Sequence, residues 1–555
     1  MLHIAGQTAP RVAGVLLIIF IATALLACAQ GESNVAAGNR DGVLHIGNGA
    51  EPQSLDPHVM SGSPEVRIAR ALFEGLVTPN PYSLEIEPGV AQRWEFSEDQ
   101  RVITFFLNTE AKWSNGDPIT SQDFVWSLQR ALTPAMGNQL AYTLYPILNA
   151  EEFATGIITD PNAVGVKALD EYTLEVTLTN PTPYFLSLLA SYVAYPVHRP
   201  TLEAHGQVTD RFTPWTRPEN MVSNGPFTLQ DWQLQRQITV VRSEQYWDAA
   251  NVKLNAVVFH PIESEIAEEK MFRVNQLHYT ERVPLNKIPT YRTANNSPYQ
   301  QAPLLGSYYF VFNTLQSPGN DLRVRQALAM AIDRDTLVNT ILQAAESSSV
   351  ALTPPDIPNY QPPDLIEYNP DAARKRLAEA GYPDGQGWPG LDFIYNSSDS
   401  NRKVAVAAQQ MWKNVLNIKV TLANQEWKVY LDTINERNFQ MSREGWIGGY
   451  LDPVTFLGRF ITDGGTNRTG FSNTRFDEII QHLAPTAKTP EQRLQLLNEA
   501  ETILMQQVPI IPIYTYTSKH LIQPSVKGAP ANVLDLINFK YVRLASDADT
   551  WNAEE

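Results

Sequence analysis

A single cysteine, Cys28, occurs in 555 residues. The chain therefore cannot staple its fold with an internal disulfide and must hold together by buried apolar surface. Basic runs are missing too. The formal net charge is −17 with no sustained block of Lys or Arg, which argues against a nucleic-acid partner or a surface held to anionic lipid by charge. No second hydrophobic span follows Ala27, and there is no internal repeat or low-complexity tract. The usual catalytic signatures are absent: no Walker loop, no His-Glu-x-x-His, no Gly-x-Ser-x-Gly. Gly385, Gly387 and Gly390 have the spacing of a dinucleotide fingerprint, but they follow a helix, enclose Pro389 and lead into a strand, so they read as a loop. The nine histidines are dispersed, with no i, i+4 pair to hold a metal, and acid pairs among 59 carboxylates arise by accident. No catalytic constellation, cofactor or metal site is expected.

What the chain does contain begins at its N-terminus. Arg11 precedes Val12–Ala27, an uncharged stretch rich in Leu, Ile and Ala, short for a membrane span and typical of a signal-peptide core. It runs into Leu25-Leu26-Ala27-Cys28, which resembles the bacterial lipobox, where the cysteine carries the lipid. The expectation is a signal peptide over 1–27, lipidation at Cys28, and a flexible tether over 28–40. The protein is then extracytoplasmic, in the periplasm or cell envelope, and bound to membrane through acyl chains only. Ala29 follows the cysteine, so the acidic inner-membrane retention signal is missing and the identity of the membrane stays open.

The chain is too long for one core, so two or more lobes are expected, and its 39 prolines point to many extended connections. The most informative stretch runs from Leu391 to Pro453. Leu391–Tyr395, Ile418–Leu422 and Phe439–Ser442 read as strands; Arg402–Val415 and Trp427–Asn435 alternate with them as helices. Alternation of this kind predicts a parallel sheet with right-handed crossovers, and ligands bind such sheets beyond the carboxyl ends of their strands. The residues there are Asn396–Asn401, Asn424–Trp427 and Arg443–Pro453, all polar, aromatic or glycine-rich.

Several further segments, in order, complete a pattern: Ala71–Val77 (ALFEGLV), Thr104–Arg130, Ser223–Trp232 (SNGPFTLQDW), Leu322–Asp335, Tyr395–Asp399 (YNSSD), Gln425–Lys428 (QEWK) and Gly445–Pro453. Together they resemble the extracytoplasmic oligopeptide-binding proteins of ABC importers, solute-binding family 5, over nearly the whole mature chain. The resemblance implies an α/β fold of the periplasmic-binding-protein-like type II, with two large lobes around a ligand cleft and a smaller inserted lobe. Lobe I would be built from 41–75, 200–300 and 516–546, lobe II from 76–199, and lobe III from 301–515. It also implies a monomer that encloses an oligopeptide by hinge closure and then docks on the permease subunits of an importer.

The resemblance carries over to particular residues. Oligopeptide binders hold the peptide ammonium with the Asp of Gly-Trp-x-x-Asp-Tyr; here the motif is Gly445-Trp446-Ile447-Gly448-Gly449-Tyr450, and Gly449 stands in place of that Asp. Arg443 matches a basic residue that helps hold peptide carboxylates. Asn401 replaces a histidine of the close relatives, with Arg402 beside it as another source of charge. Trp427 and Tyr516 match aromatic residues of side-chain pockets, and Tyr308, Tyr309 and Asn313 lie on a strand offered to the peptide backbone. Other readings stand beside these. Arg443 could pair with Glu444 or Asp452, Trp427 and Trp446 could be core packing, and Gly448-Gly449 could be a turn needing positive φ. Asp452-Pro453 reads as a turn or helix cap ahead of a ligand contact. The same fold could also take a non-peptide or N-blocked ligand such as an opine, a metal complex or an oligosaccharide; an exported hydrolase is disfavoured by the missing motifs.

Overall fold

The computed structural model describes residues 32–343 and 346–545, so the signal peptide and Cys28 lie outside the described residues. The first described element corrects the tether read over 28–40. Asn34–Asp41 is a helix, α1, capped by Ser33 and ended by Gly42 in the left-handed region at φ 69°. Its small, polar sequence gives little amphipathic signal, and its anchors lie far away in the chain. The Val35 N–H donates to Asn275 O at 3.0 Å, and the Asn255 amide donates to Asp41 O at 2.8 Å. Docking, not intrinsic propensity, makes this helix.

Three hydrophobic cores follow. One packs a four-stranded sheet in the order Val43–Gly47, Ala256–His260, Gln237–Arg242, Phe227–Gln233 against the helix Ser63–Leu72, with Phe539 and Val542 returning from the end of the chain. The first two strands are parallel and the others antiparallel. A second core lies under an antiparallel sheet of Ala91–Phe96, Val102–Leu107, Thr173–Thr177 and Val166–Asp170. Val102–Leu107 alternates between half-buried and buried side chains, as its sequence predicts. The helix Ser121–Leu132 covers this sheet, its start fixed by a capping box between Thr120 and Asp123.

The third and largest core surrounds a six-stranded mixed sheet. Its members are β1 (Tyr299–Phe312), β2 (Leu391–Asn396), β3 (Val420–Gln425), β4 (Met441–Ile447), β5 (Ile510–Leu521) and the short Ser347–Ser348. In space the order is Ser347–Ser348, β5, β1, β4, β2, β3. The parallel unit expected from the sequence is present: β2 pairs parallel with both β3 and β4. Helix α2 (Asp399–Leu416) and helix α3 (Trp427–Asn435) are its crossovers. Antiparallel β1 and β5 extend that unit, and they come from outside the stretch that announced it. Phe272, Leu277 and Val283 also pack in this core, although the sequence reading gives 200–300 to lobe I.

Three histidines that look unrelated in sequence meet on the first sheet. The His45 ring stacks between those of His260 and His278, at centroid distances of 5.4 and 5.9 Å. His45 Nδ1 lies 3.1 Å from His260 Nε2, and the His45 N–H donates to His278 Nδ1 at 3.0 Å. Burial pushes all three down to about 4, so the stack is uncharged at neutral pH. Among the described residues no group of His, Cys, Asp and Glu is arranged to hold a metal, and no helix is long and apolar enough to cross a membrane.

Candidate ligand-binding cleft

All three cores face one cavity of about 510 Å³, within the size range of ligand pockets. The carboxyl ends of β2, β3 and β4 open into it, the position the strand–helix pattern predicts. The β4 strand matters most, because successive side chains point to opposite faces of the sheet and each face carries an arginine system.

On one face sits Arg443. Its guanidinium lies over the Tyr308 ring, 4.7 Å from the centroid, and donates to Tyr516 Oη at 2.6 Å and to Asn396 Oδ1 at 3.1 Å. Tyr308 stacks on Tyr514 at 4.6 Å, which fixes the platform. Gly445 is small for a steric reason: a Cβ there would stand 2.2 Å from Tyr516 Oη. The pairings considered from sequence do not form. Arg443 has no acid within ion-pair distance among the described residues, and its Nε hydrogen is buried without an acceptor. A half-buried cation held by aromatic rings and neutral oxygens at the wall of a cavity is poised to receive an anion.

On the other face, Glu444 is shared by two arginines, Arg468 at 3.1 Å and Arg459 at 3.4 Å. Arg459 lies 4.0 Å over the Trp446 ring and donates to Tyr309 Oη at 3.0 Å. The Trp446 indole N–H, the Arg459 Nε hydrogen and Glu444 Oε1 are buried without partners. So is the indole N–H of Trp427, whose ring stacks on Tyr430 at the start of α3. Each buried polar group left without a partner costs about 1–3 kcal/mol.

The candidate residues separate into two sets. Arg443, Gly445, Trp446, Gly449, Tyr450, Trp427, Asn401 and Tyr516 line the cavity. Tyr308 supports Arg443 from beneath. Three others are engaged elsewhere. The Asp452 carboxylate is gripped by Arg493 at 2.6 and 2.9 Å and accepts the Val454 N–H at 3.0 Å, closing a turn ahead of the short helix Val454–Leu457. Asn313 spends its amide on the Arg437 carbonyl and the Leu315 N–H. Arg402 is exposed, with Asp399 3.9 Å away. Neither Gly448 nor Gly449 needs a left-handed backbone. Gly448 is small because a Cβ would crowd Leu305 and Thr455, at 2.8 and 2.9 Å, whereas a Cβ on Gly449 would meet nothing within 4 Å.

Glu265, at the start of the helix whose Phe272 packs in the third core, accepts from the Ser398 and Ser400 hydroxyls at 3.3 and 2.9 Å. Other contacts join the second and third cores. Tyr450 packs into the second core and stacks on Tyr184 at 5.6 Å, nearly parallel. Arg468 reaches Gln139 at 3.3 Å. The two arginines on Glu444 and the Glu265 link had no signal in the sequence, because the partners lie 15 to 135 residues apart and no local periodicity relates them.

Residues 85–468 match the model of the bacterial extracellular solute-binding proteins, family 5. The periplasmic murein peptide-binding protein MppA of Escherichia coli is 37% identical over 511 residues, covering 90% of this chain and 92% of MppA. The Haemophilus influenzae OppA complex with the peptide RPPGFSPFR superposes with a TM-score of 0.86 at 30% identity, covering 91% of this chain and 99% of that one. The unliganded open form of MppA, at 36% identity and covering 91% and 97%, superposes with a TM-score of only 0.62. The lobes described here are thus arranged as in a peptide complex rather than as in that open form.

Proposed function

Because the chain belongs to the bacterial extracellular solute-binding proteins of family 5, we propose that it captures oligopeptides outside the cytoplasm and hands them to the permease of an ABC importer, without chemical turnover. The observation that carries this reading is Arg443, a cavity-lining cation with no acid within ion-pair distance among the described residues. A peptide carboxylate matches it in charge and geometry. The aromatic walls, Trp427, Trp446, Tyr450 and Tyr516 among them, suit side chains of varied shape.

The decisive experiment is a melting series with a mixed tetrapeptide pool, with the peptides assayed afterwards for cleavage. Binding to the closed form alone stabilises by RT ln(1 + [L]/Kd), about 2.7 kcal/mol at a hundredfold excess over Kd. A raised melting temperature with peptides recovered intact is expected; consumption over many turnovers would identify an enzyme instead.

Anchoring through an acylated Cys28 belongs to the same proposal and is supported by the apolar run ending in Leu-Leu-Ala-Cys. With Cys28→Ser, the protein should move from the membrane pellet to the soluble fraction after lysis. Unchanged sedimentation with membranes would remove the lipid anchor from the account.

A further inference from the structure

Resting on the peptide-binding reading, the geometry points to a subsite at the Trp446–Gly449 end of the cleft that takes a hydrogen-bond acceptor, an acyl carbonyl or a carboxylate, and disfavours an ammonium. With a peptide carboxylate at Arg443, the end left for this subsite is the amino end, so the ligand class is peptides acylated there.

Charge balance at this end works against an ammonium. Two guanidiniums, Arg459 and Arg468, face a single carboxylate, Glu444. An ammonium drawn to the open oxygen of Glu444 would meet one attraction and two repulsions of the same order, since all three charges sit within one hydrogen-bonded cluster. Asp452 is consumed by Arg493 and does not line the cavity. Of the other acids that do, Glu281, Glu346 and Asp535 are paired with Arg67, Lys519 and His520, and Glu265 and Glu263 stand by Ser400 and Glu426, off the ends of β2 and β3. Arg459 and Arg468 both line the cavity and together outnumber Glu444 by one positive charge, which an acyl or carboxylate oxygen can meet as acceptor; an ammonium cannot accept a hydrogen bond. Gly449 completes the picture, because the space beside it is open and its backbone would admit any side chain, yet no acid is there.

The test uses one tetrapeptide library prepared free, N-acetylated and N-succinylated, incubated with the full-length protein, and read by mass spectrometry of the peptides retained on gel filtration. The wild type should retain acetylated or succinylated members at least as well as free ones; enrichment of the succinylated set over the acetylated set would mark a carboxylate as the preferred oxygen, and the reverse a carbonyl. Gly449→Asp should swing retention toward free amines by about a hundredfold, the effect of one close charge partner gained. A wild-type preference of that size for the free amine would overturn the subsite. Retention of no peptide in any form would instead remove the peptide-binding reading, and the subsite with it.

Discussion

Replacing Asp56 with alanine should lower the unfolding free energy by about 3–5 kcal/mol, because it strands a buried guanidinium. Arg130 donates to both Asp56 oxygens, at 3.1 and 2.7 Å, and the two side chains are 2% and 1% exposed. Arg130 also donates to Val208 O at 2.6 Å and to His58 Nδ1 at 2.8 Å. Accepting there leaves the His58 proton on Nε2, which donates to Tyr195 O at 3.1 Å. The cluster joins the helix of the second core to the loop of the first, so its loss should loosen the inserted lobe. Urea titration of the variant tests this, and a change below about 1 kcal/mol, the range of an exposed ion pair, would refute it.

The same cluster fixes a pH dependence. Burial raises the Asp56 carboxyl, but Arg130 more than offsets it and holds the group below its ordinary value. Burial, reinforced by Arg130, pushes His58 down to about 4. Both folded-state values are depressed, so at falling pH the unfolded chain binds protons first. His58 withdraws stability between its ordinary value, about 6.5, and 4. Asp56 withdraws it further below its own ordinary value. In the Asp56→Ala variant the carboxylate part of this acid loss should vanish.

Arg443→Met should weaken peptide binding by about 2–5 kcal/mol, the loss of a desolvated charge partner, while leaving the empty protein as stable as before or more so. The second half follows from partial burial: a guanidinium with no acid is costly to desolvate even in part, and an apolar side chain of similar length over Tyr308 avoids that cost. Calorimetry with a tetrapeptide pool and melting without ligand measure the two halves separately. Affinity within threefold of wild type would show that Arg443 holds no ligand charge.

How far the sequence reached can be judged from individual residues. Helix α3 lies where its apolar spacing predicts, and the parallel β2–β3–β4 unit was legible because local periodicity suffices to specify it. That unit also pointed to the right rim of the sheet. What it could not show was what stands opposite Arg443, since Tyr308, Tyr514 and Tyr516 arrive on antiparallel strands distant in the chain. The histidine stack escaped for the same reason: its members are dispersed in sequence and adjacent only across strands. Asp452 reads as a turn or helix cap ahead of a ligand contact, and the structure uses its carboxylate for a turn and for Arg493. Helix α1 was missed because nothing in its own composition selects a helix over a tether.

That helix sets the length of the leash. Between Cys28 and the cap at Ser33 lie only five peptide steps, and even fully extended they span no more than about 18 Å. A lipid on Cys28 would therefore keep the α1 corner of the molecule within a headgroup's distance or two of the bilayer. The protein would not roam the envelope in search of its permease. It would skate beside it in two dimensions, with one corner always turned to the membrane.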